Sequence, residues 1–283
     1  MKAFVVTGAN GYLGGSLYRF LKEQGCTIVS LQRILDDDEI KKKQVRFSLK
    51  NSLAPDIFKS AEILVHCAYD PSPVSWRDIE ETNIKGSIRL FQAAQAGGIK
   101  KIIYISSISA FDNCQSLYGK AKLAIEQEVV ARGGLVIRPG LIFGNKLGGF
   151  LAGLQSLVIH CPLIPLIGRG DQILYFSHIE DLCRLIFKLS CESCDNSSVP
   201  IIAACENGRP FREVLRILAY QKNKSPMLIS VPWKIIWFSL KFLELLGIQM
   251  RFRSDNVISL EHQNPHPDFS FLKDIGFSFR DFD

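Results

Sequence analysis

The segment Tyr118-Gly119-Lys120-Ala121-Lys122 sets a phenol and an ammonium four residues apart. On a helix those two positions share a face, so Lys122 stands beside Tyr118. A phenol titrates near ~10 in water, and an adjacent cation favours its ionised form, which brings proton transfer toward neutral pH. Such a pair can give or take the proton when a carbonyl and an alcohol interconvert. Upstream, Ser106 and Ser107 close the apolar run Ile102–Ile105, where a hydroxyl can hold the reacting oxygen. The start of the chain carries the signal for the other half of that chemistry. In TGANGYLG, Gly8, Gly11 and Gly14 recur at every third position just after the run Ala3–Val6. Glycines let the backbone turn tightly against a pyrophosphate, and the helix opening there supplies N–H donors and a positive dipole end. In that context the turn is expected to bind a dinucleotide.

The next apolar run, Thr27–Leu31, ends in Gln32 and Arg33, without a carboxylate to bind a ribose 2′-hydroxyl. An arginine can pair with a 2′-phosphate, so NADP(H) is expected over NAD(H). The competing role for Arg33 is to neutralise Asp36–Asp38. Asp37, Asp38 and Glu39 lead Lys41, Lys42 and Lys43 at i,i+4 spacing, the pattern of a solvated helix start. Cys191 and Cys194 form a CxxC, but no second pair follows at zinc spacing, so no metal is expected. The first residues hold no apolar stretch of signal-peptide length. The eight cysteines therefore read as reduced thiols and the protein as cytoplasmic.

These groups need a scaffold. Short apolar runs without alternation, namely Ala3–Val6, Thr27–Leu31, Ile63–His66, Ile102–Ile105 and Leu135–Arg138, are interleaved with helical segments at Ser16–Gln24 and Ile79–Ala96. The pattern predicts a doubly wound parallel sheet of Rossmann type, an α/β fold covered on both faces. Beyond Gly140, turns break the chain into short elements, as in a smaller mixed substrate domain. The expected division is a dinucleotide-binding domain over 1–144 and a mostly substrate-binding domain over 145–283, with a strand near 200–204 returning to the sheet. At 283 residues, 47% hydrophobic and 22% charged, the composition is that of an ordinary globular chain. The net charge of +6 is spread along the chain, which suits a small anionic ligand better than nucleic acid. The apolar helix near Val231–Leu246 is interrupted by Lys234, Lys241 and Glu244 and is not a transmembrane segment. Its apolar face is expected to pack on the second domain or on a partner subunit, as in a homodimer; a membrane surface is the alternative.

Taken in order, TGANGYLG, LVHCAYD, TNIKGSIRLFQAA, YISSISAF, YGKAK, RPGLIFG, FSHIEDL and the terminal LKDIGFSFRDF resemble the extended short-chain dehydrogenases/reductases, the NAD-dependent epimerase/dehydratase family. The resemblance runs through nearly the whole chain. It implies Ser107 and Tyr118 as catalytic residues, with Lys122 lowering the Tyr118 pKa and binding the nicotinamide ribose. It also implies cofactor contacts from Gly8, Gly11, Tyr12, Leu13, Gly14, Arg33, Cys67, Ala68, Asn83 and Gly140. His66 and His178 fall in matching motifs but read as structural. Three features depart from the family pattern. Ser48 stands where an aspartate usually holds the adenine, the Ser107–Tyr118 loop is short for a sugar-nucleotide epimerase, and the arginine often found before the FxH strand is missing. The implied function is an NADP-dependent oxidoreductase that reduces or epimerises a nucleotide-diphosphate sugar at a secondary alcohol or ketone. The alternatives are a dehydrogenase of a hydrophobic, steroid-like alcohol and a non-catalytic NADP(H) sensor or scaffold.

Overall fold

Phe4, Val5 and Val6 are fully buried, as are Leu64, Val65 and Ile103, because strands covered on both faces have no side to give to water. In the computed structural model, residues 2–35, 43–192, 199–248 and 252–283 are described. Cys194 and the charged run 36–42 lie outside them. The elements in order are β1 (Ala3–Thr7), α1 (Tyr12–Glu23), β2 (Thr27–Gln32), β3 (Gln44–Arg46), β4 (Ile63–His66), α2 (Trp76–Ile79), α3 (Lys85–Ala96), β5 (Lys101–Ile105), α4 (Leu117–Val130) and β6 (Leu135–Pro139). There follow β7 (Leu141–Phe143), α5 (Gly149–His160), β8 (Leu163–Ile167), β9 (Ile173–Leu174), β10 (Phe176–His178), α6 (Ile179–Cys191), β11 (Ile201–Ala203) and β12 (Arg209–Pro210). The last are α7 (Phe211–Gln221), β13 (Met227–Val231), α8 (Trp233–Leu245), α9 (Ser254–Glu261) and α10 (Ser270–Asp274).

Among the described residues, seven strands form one sheet in the order β11-β6-β5-β4-β1-β2-β3. From β3 to β6 the neighbours pair in parallel, with Val5 opposite Val29 on one side and Leu64 on the other. The strand expected near 200–204 is β11, at the sheet edge. This is the doubly wound Rossmann-type α/β fold that the apolar runs predict. Two element boundaries differ from the sequence reading. Helix α1 opens at Tyr12 rather than Ser16, because glycines at 14 and 15 let its first turn fit beneath the turn before it. The helical stretch expected from Ile79 begins at Trp76, capped by the Ser75 hydroxyl, and passes through a π-turn at Glu80–Ile84 before α3.

The described chain divides into two compact units interleaved in sequence, rather than separated by one cut near 144. The first comprises residues 1–107, 121–138 and 179–201 and holds most of the sheet. The second comprises 108–120, 139–178 and 202–283. Its own core joins Leu154, Ile164, Phe176, Leu215, Leu218 and Val257, with Phe176 stacked on Phe282 at 4.3 Å. Among the described residues no helix is long and apolar enough to cross a membrane.

Candidate active site

The turn after β1 is built for close approach. Gly8 has φ +67°, and the Gly8 and Gly11 N–H groups bond Leu31 O and Gly8 O at 2.9 and 2.7 Å. A Cβ at Gly14 would lie 2.3 Å from Gly8 O, so only glycine lets α1 start this tightly. No side chain caps that helix. Tyr12 and Leu13 form its first turn, which leaves a cradle that fits a dinucleotide pyrophosphate.

A polar relay holds the backbone facing that turn. Thr7 Oγ1 accepts the Cys67 and Ala68 N–H groups, both at 3.1 Å. With its lone pairs taken, the hydroxyl gives its proton to His66 Nδ1 at 2.7 Å. His66 must therefore donate from Nε2, and it does so to Ser87 Oγ at 2.9 Å, which in turn donates to Asn83 O at 2.6 Å. Burial, then the charge of Lys122, push the imidazole pKa down to about 3, so it stays neutral. The Asn83 side chain completes the clamp. Its Oδ1 accepts Asp70 N–H at 2.8 Å and its Nδ2 donates to Asp70 O at 3.0 Å. Residues 67–70 are thus tied at both ends, and Ala68 sits so close to Gly8 that a Cβ there would meet it at 3.2 Å. Burial raises the Cys67 thiol to about 12, so this position offers no thiolate. Thr7, Ser87 and the whole relay escaped sequence reasoning, because only the sheet brings strands β1 and β4 side by side.

Helix α4 carries the proton-transfer candidates. Tyr118 is half-buried at its first turn, and Lys122 is buried one turn on. Lys122 Nζ donates to Ile105 O at 2.9 Å and lies over the Tyr104 and Tyr69 rings, 4.9 and 5.0 Å from their centroids. Burial lowers its pKa to about 8, so it remains mostly a cation at neutral pH. One further turn along, buried Glu126 accepts Arg138 Nε and Nη2 at 2.9 and 2.6 Å and also the Ser106 hydroxyl. Of the two adjacent serines, then, Ser106 is committed inward while Ser107 is half-buried. Glu126 was legible in principle, since 118, 122 and 126 lie on one stripe at i, i+4 and i+8.

The start of α4 is pinned from far along the chain. Asp255, in the first turn of α9, accepts the Leu117 and Tyr118 N–H groups at 2.7 and 3.0 Å, which caps the helix and fixes the turn that bears Tyr118. No local pattern marks Asp255. Gly140, expected from the resemblance to contact the cofactor, bonds Ser177 Oγ through its N–H at 2.9 Å, and a Cβ there would lie 2.3 Å from Tyr175 O. His178 is buried with its ring edge-on to Phe143 at 5.0 Å. Arg33 follows β2 and is exposed. Burial works against the Asp70 carboxylate, but the Ser72 N–H and the charges of Arg33 and Lys50 outweigh it and hold that carboxyl below its usual range. Ser48, after β3, heads a turn in which its hydroxyl accepts the Lys50 N–H. Among the described residues no cluster of His, Cys, Asp and Glu could hold a metal ion.

Residues 4–198 match the model of the NAD dependent epimerase/dehydratase family. The chain belongs to this family. It is an NAD(P)-dependent enzyme of the short-chain dehydrogenase type, and members of the epimerase/dehydratase family bind a nicotinamide cofactor. A similar curated protein is a ceramide reductase from Caulobacter vibrioides, 27% identical over 236 residues, which cover 80% of this chain and 73% of that one. A UDP-glucose 4-epimerase from Vibrio cholerae is 25% identical over 190 residues, 56% of this chain and 57% of the other. Among solved structures, MoeE5 in complex with UDP-glucuronic acid and NAD superposes with a TM-score of 0.71 at 20% identity, covering 81% of this chain and 85% of its own. The structure of gox2253 gives 0.74 at 18% identity, covering 99% and 94%. These two establish the likeness of fold.

Proposed function

We propose that this epimerase/dehydratase family member is an NADP(H)-dependent reductase of a ketone, with Ser107, Tyr118 and Lys122 at the reacting carbonyl. The observation that carries the reading is Lys122: a buried ammonium, aimed by Ile105 O and two ring faces, one helical turn beyond a half-buried tyrosine. Burying a lysine costs stability, and a cost maintained beside a phenol has its return in proton transfer. When bound, the nicotinamide exchanges hydride with the carbonyl carbon. Ser107 hydrogen-bonds the carbonyl oxygen, Tyr118 supplies its proton, and Lys122 stabilises the phenolate left behind. Gly8–Gly14, Cys67 and Ala68 would hold the dinucleotide, and the Asn83 clamp keeps residues 67–70 in place. Arg33 favours the 2′-phosphate; a charge-assisted contact worth about 1–3 kcal/mol corresponds to roughly five- to hundredfold preference for NADPH. Ser48 in place of an adenine-holding carboxylate favours exchange of cofactor at each turnover, as a reductase requires.

For the substrate, a lipid-type ketone or alcohol stands ahead of a nucleotide-diphosphate sugar. The ceramide reductase matches more of this chain than the UDP-glucose 4-epimerase does, and the short Ser107–Tyr118 loop and missing arginine remove sugar-nucleotide contacts. The nucleotide sugar is the second reading, supported by the epimerase similarity. The test is NADPH oxidation by the purified protein with a long-chain ketone and, separately, with a 4-keto nucleotide sugar. Stoichiometric NADPH loss is expected with the first, reduced by roughly 10²–10⁴ in Tyr118→Phe while cofactor binding persists. Tightly held dinucleotide with sugar isomers interconverting and no net NADPH loss would establish an epimerase instead.

A further inference from the structure

Helix α8 is apolar on two sides, and the second unit uses only one. Trp233, Ile236, Trp237 and Leu240 recur at i, i+3, i+4 and i+7 and pack on the core of that unit. Ile235, Phe238, Phe242 and Leu245 recur at helical spacing on the opposite side and are 56, 68, 55 and 77% exposed. Leu246 and Ile248 extend that side beyond the helix end. The preceding two-stranded sheet repeats the pattern. Met227 pairs with Leu163 and Ile229 with Pro165, all four exposed, whereas Ile164, Leu166 and Ile167 between them are buried. One helix and one two-stranded sheet, joined at Pro232, therefore each leave several apolar side chains exposed, unlike singly scattered surface residues.

The charges around this face say what covers it. Residues 222–248 contain Lys222, Lys224, Lys234 and Lys241 but a single acid, Glu244. Glu244 is turned toward α9, where it accepts Ser254 N–H and Oγ–H at 2.8 and 2.9 Å, and Lys241 reaches it at 3.5 Å. At 3.6 residues per turn, Lys234 and Lys241 fall together on one border of the outward face. Lys234 leans over the Trp233 ring, 5.8 Å from its centroid. In an isologous pairing with a second copy, residues 222–248 would offer the lysines only Glu244, which Lys241 and Ser254 already engage. An anionic lipid surface answers them directly. Phenylalanines and leucines enter the acyl boundary while the flanking lysines extend to the phosphates.

From this arrangement we infer that the α8 and β8–β13 face docks the protein on an anionic bilayer surface. The inference does not depend on which ketone is reduced. It is tested by sedimenting the full-length protein with vesicles of phosphatidylcholine alone and of phosphatidylcholine with phosphatidylglycerol. Wild type should bind the anionic vesicles at least about tenfold more strongly, and added salt should weaken the binding. Phe238→Ser with Phe242→Ser should abolish it. Lys234→Gln with Lys241→Gln should weaken it by about fivefold per lysine, at roughly 1 kcal/mol each, without touching the apolar side chains. Circular dichroism and thermal unfolding check that both variants stay folded, and the lysine variant decides the matter if the serine variant does not. No binding by wild type, binding indifferent to both variants, or a vesicle-free dimer that Phe238→Ser with Phe242→Ser converts to monomer would each overturn the inference; the last would assign the face to a second copy.

Discussion

The interior of the first unit and the surface of the second invert the usual sorting of residues in opposite ways. Within the sheet unit, Lys122, Glu126 and His66 are buried, the groups a core normally excludes. On the second unit, Phe238, Phe242 and Leu245 stand in solvent. The difference lies in how each is compensated. Each of these three has a matched partner: Ile105 O for Lys122, the Arg138 fork for Glu126, and Thr7 and Ser87 for the two imidazole nitrogens. Among the described residues the exposed apolar face has no such partner within its own unit, only lysines at its border. Internal compensation marks machinery that is complete in the folded chain, and its absence marks a surface completed by something else.

The contrast can be broken most severely at Glu126. Glu126→Ala leaves the largely enclosed Arg138 guanidinium without its buried carboxylate partner, and urea unfolding should show a loss of about 3–5 kcal/mol. An effect under about 1 kcal/mol would mean that the pair does not hold the interior together. Lys122 sharpens the point, because it is buried at a cost. Its folded pKa of about 8 lies below the ~10.4 of an unfolded lysine, so holding the charge at pH 7 disfavours the fold. Lys122→Met should therefore cut turnover by about 10²-fold or more, while the urea midpoint at pH 7 holds or rises. A midpoint that falls with activity would make the residue structural.

His66 sets the acid limit of the same interior. Its folded pKa of about 3 lies below the ~6.5 of the unfolded chain, so between those values only the unfolded state takes up the proton. Its contribution is fully present above about pH 6.5 and is lost as pH falls toward 3, at about 1.4 kcal/mol per pH unit. Urea midpoints measured from pH 7.5 to 5 should fall accordingly, and His66→Gln should flatten the slope. The smallest effect belongs to Asp255, whose carboxylate caps α4. Asp255→Ala should cost about 1 kcal/mol and speed hydrogen exchange at the Leu117 and Tyr118 amides about fivefold, with Asp255→Asn retaining most of the protection.

Much of the scaffold could be read directly. Runs such as Ala3–Val6 and Ile63–His66 are too short and too uniformly apolar for anything but strands buried on both faces, and the strand near 200–204 is β11. The glycine turn, Arg33 and the Tyr118–Lys122 pair were visible because their spacing is local. Glu126 shared their stripe and was still overlooked, since a carboxylate on a helix ordinarily faces water and only the nearness of Arg138 and Ser106 buries it.

What the sequence by itself determined, then, is whatever depends on neighbours within a turn or a strand: the parallel sheet, the glycine turn after β1, the placement of Tyr118 and Lys122 one turn apart on α4 and the apolar character of α8. Only the tertiary structure decided the rest. It made His66 a neutral link between Thr7 and Ser87, turned Asn83 onto the Asp70 peptide, brought Asp255 to the first turn of α4, and settled which side of α8 is packed and which is bare. The groups that meet in the first three are 13 to 138 residues apart, and their meeting is set by strand order and core packing, which no local spacing encodes.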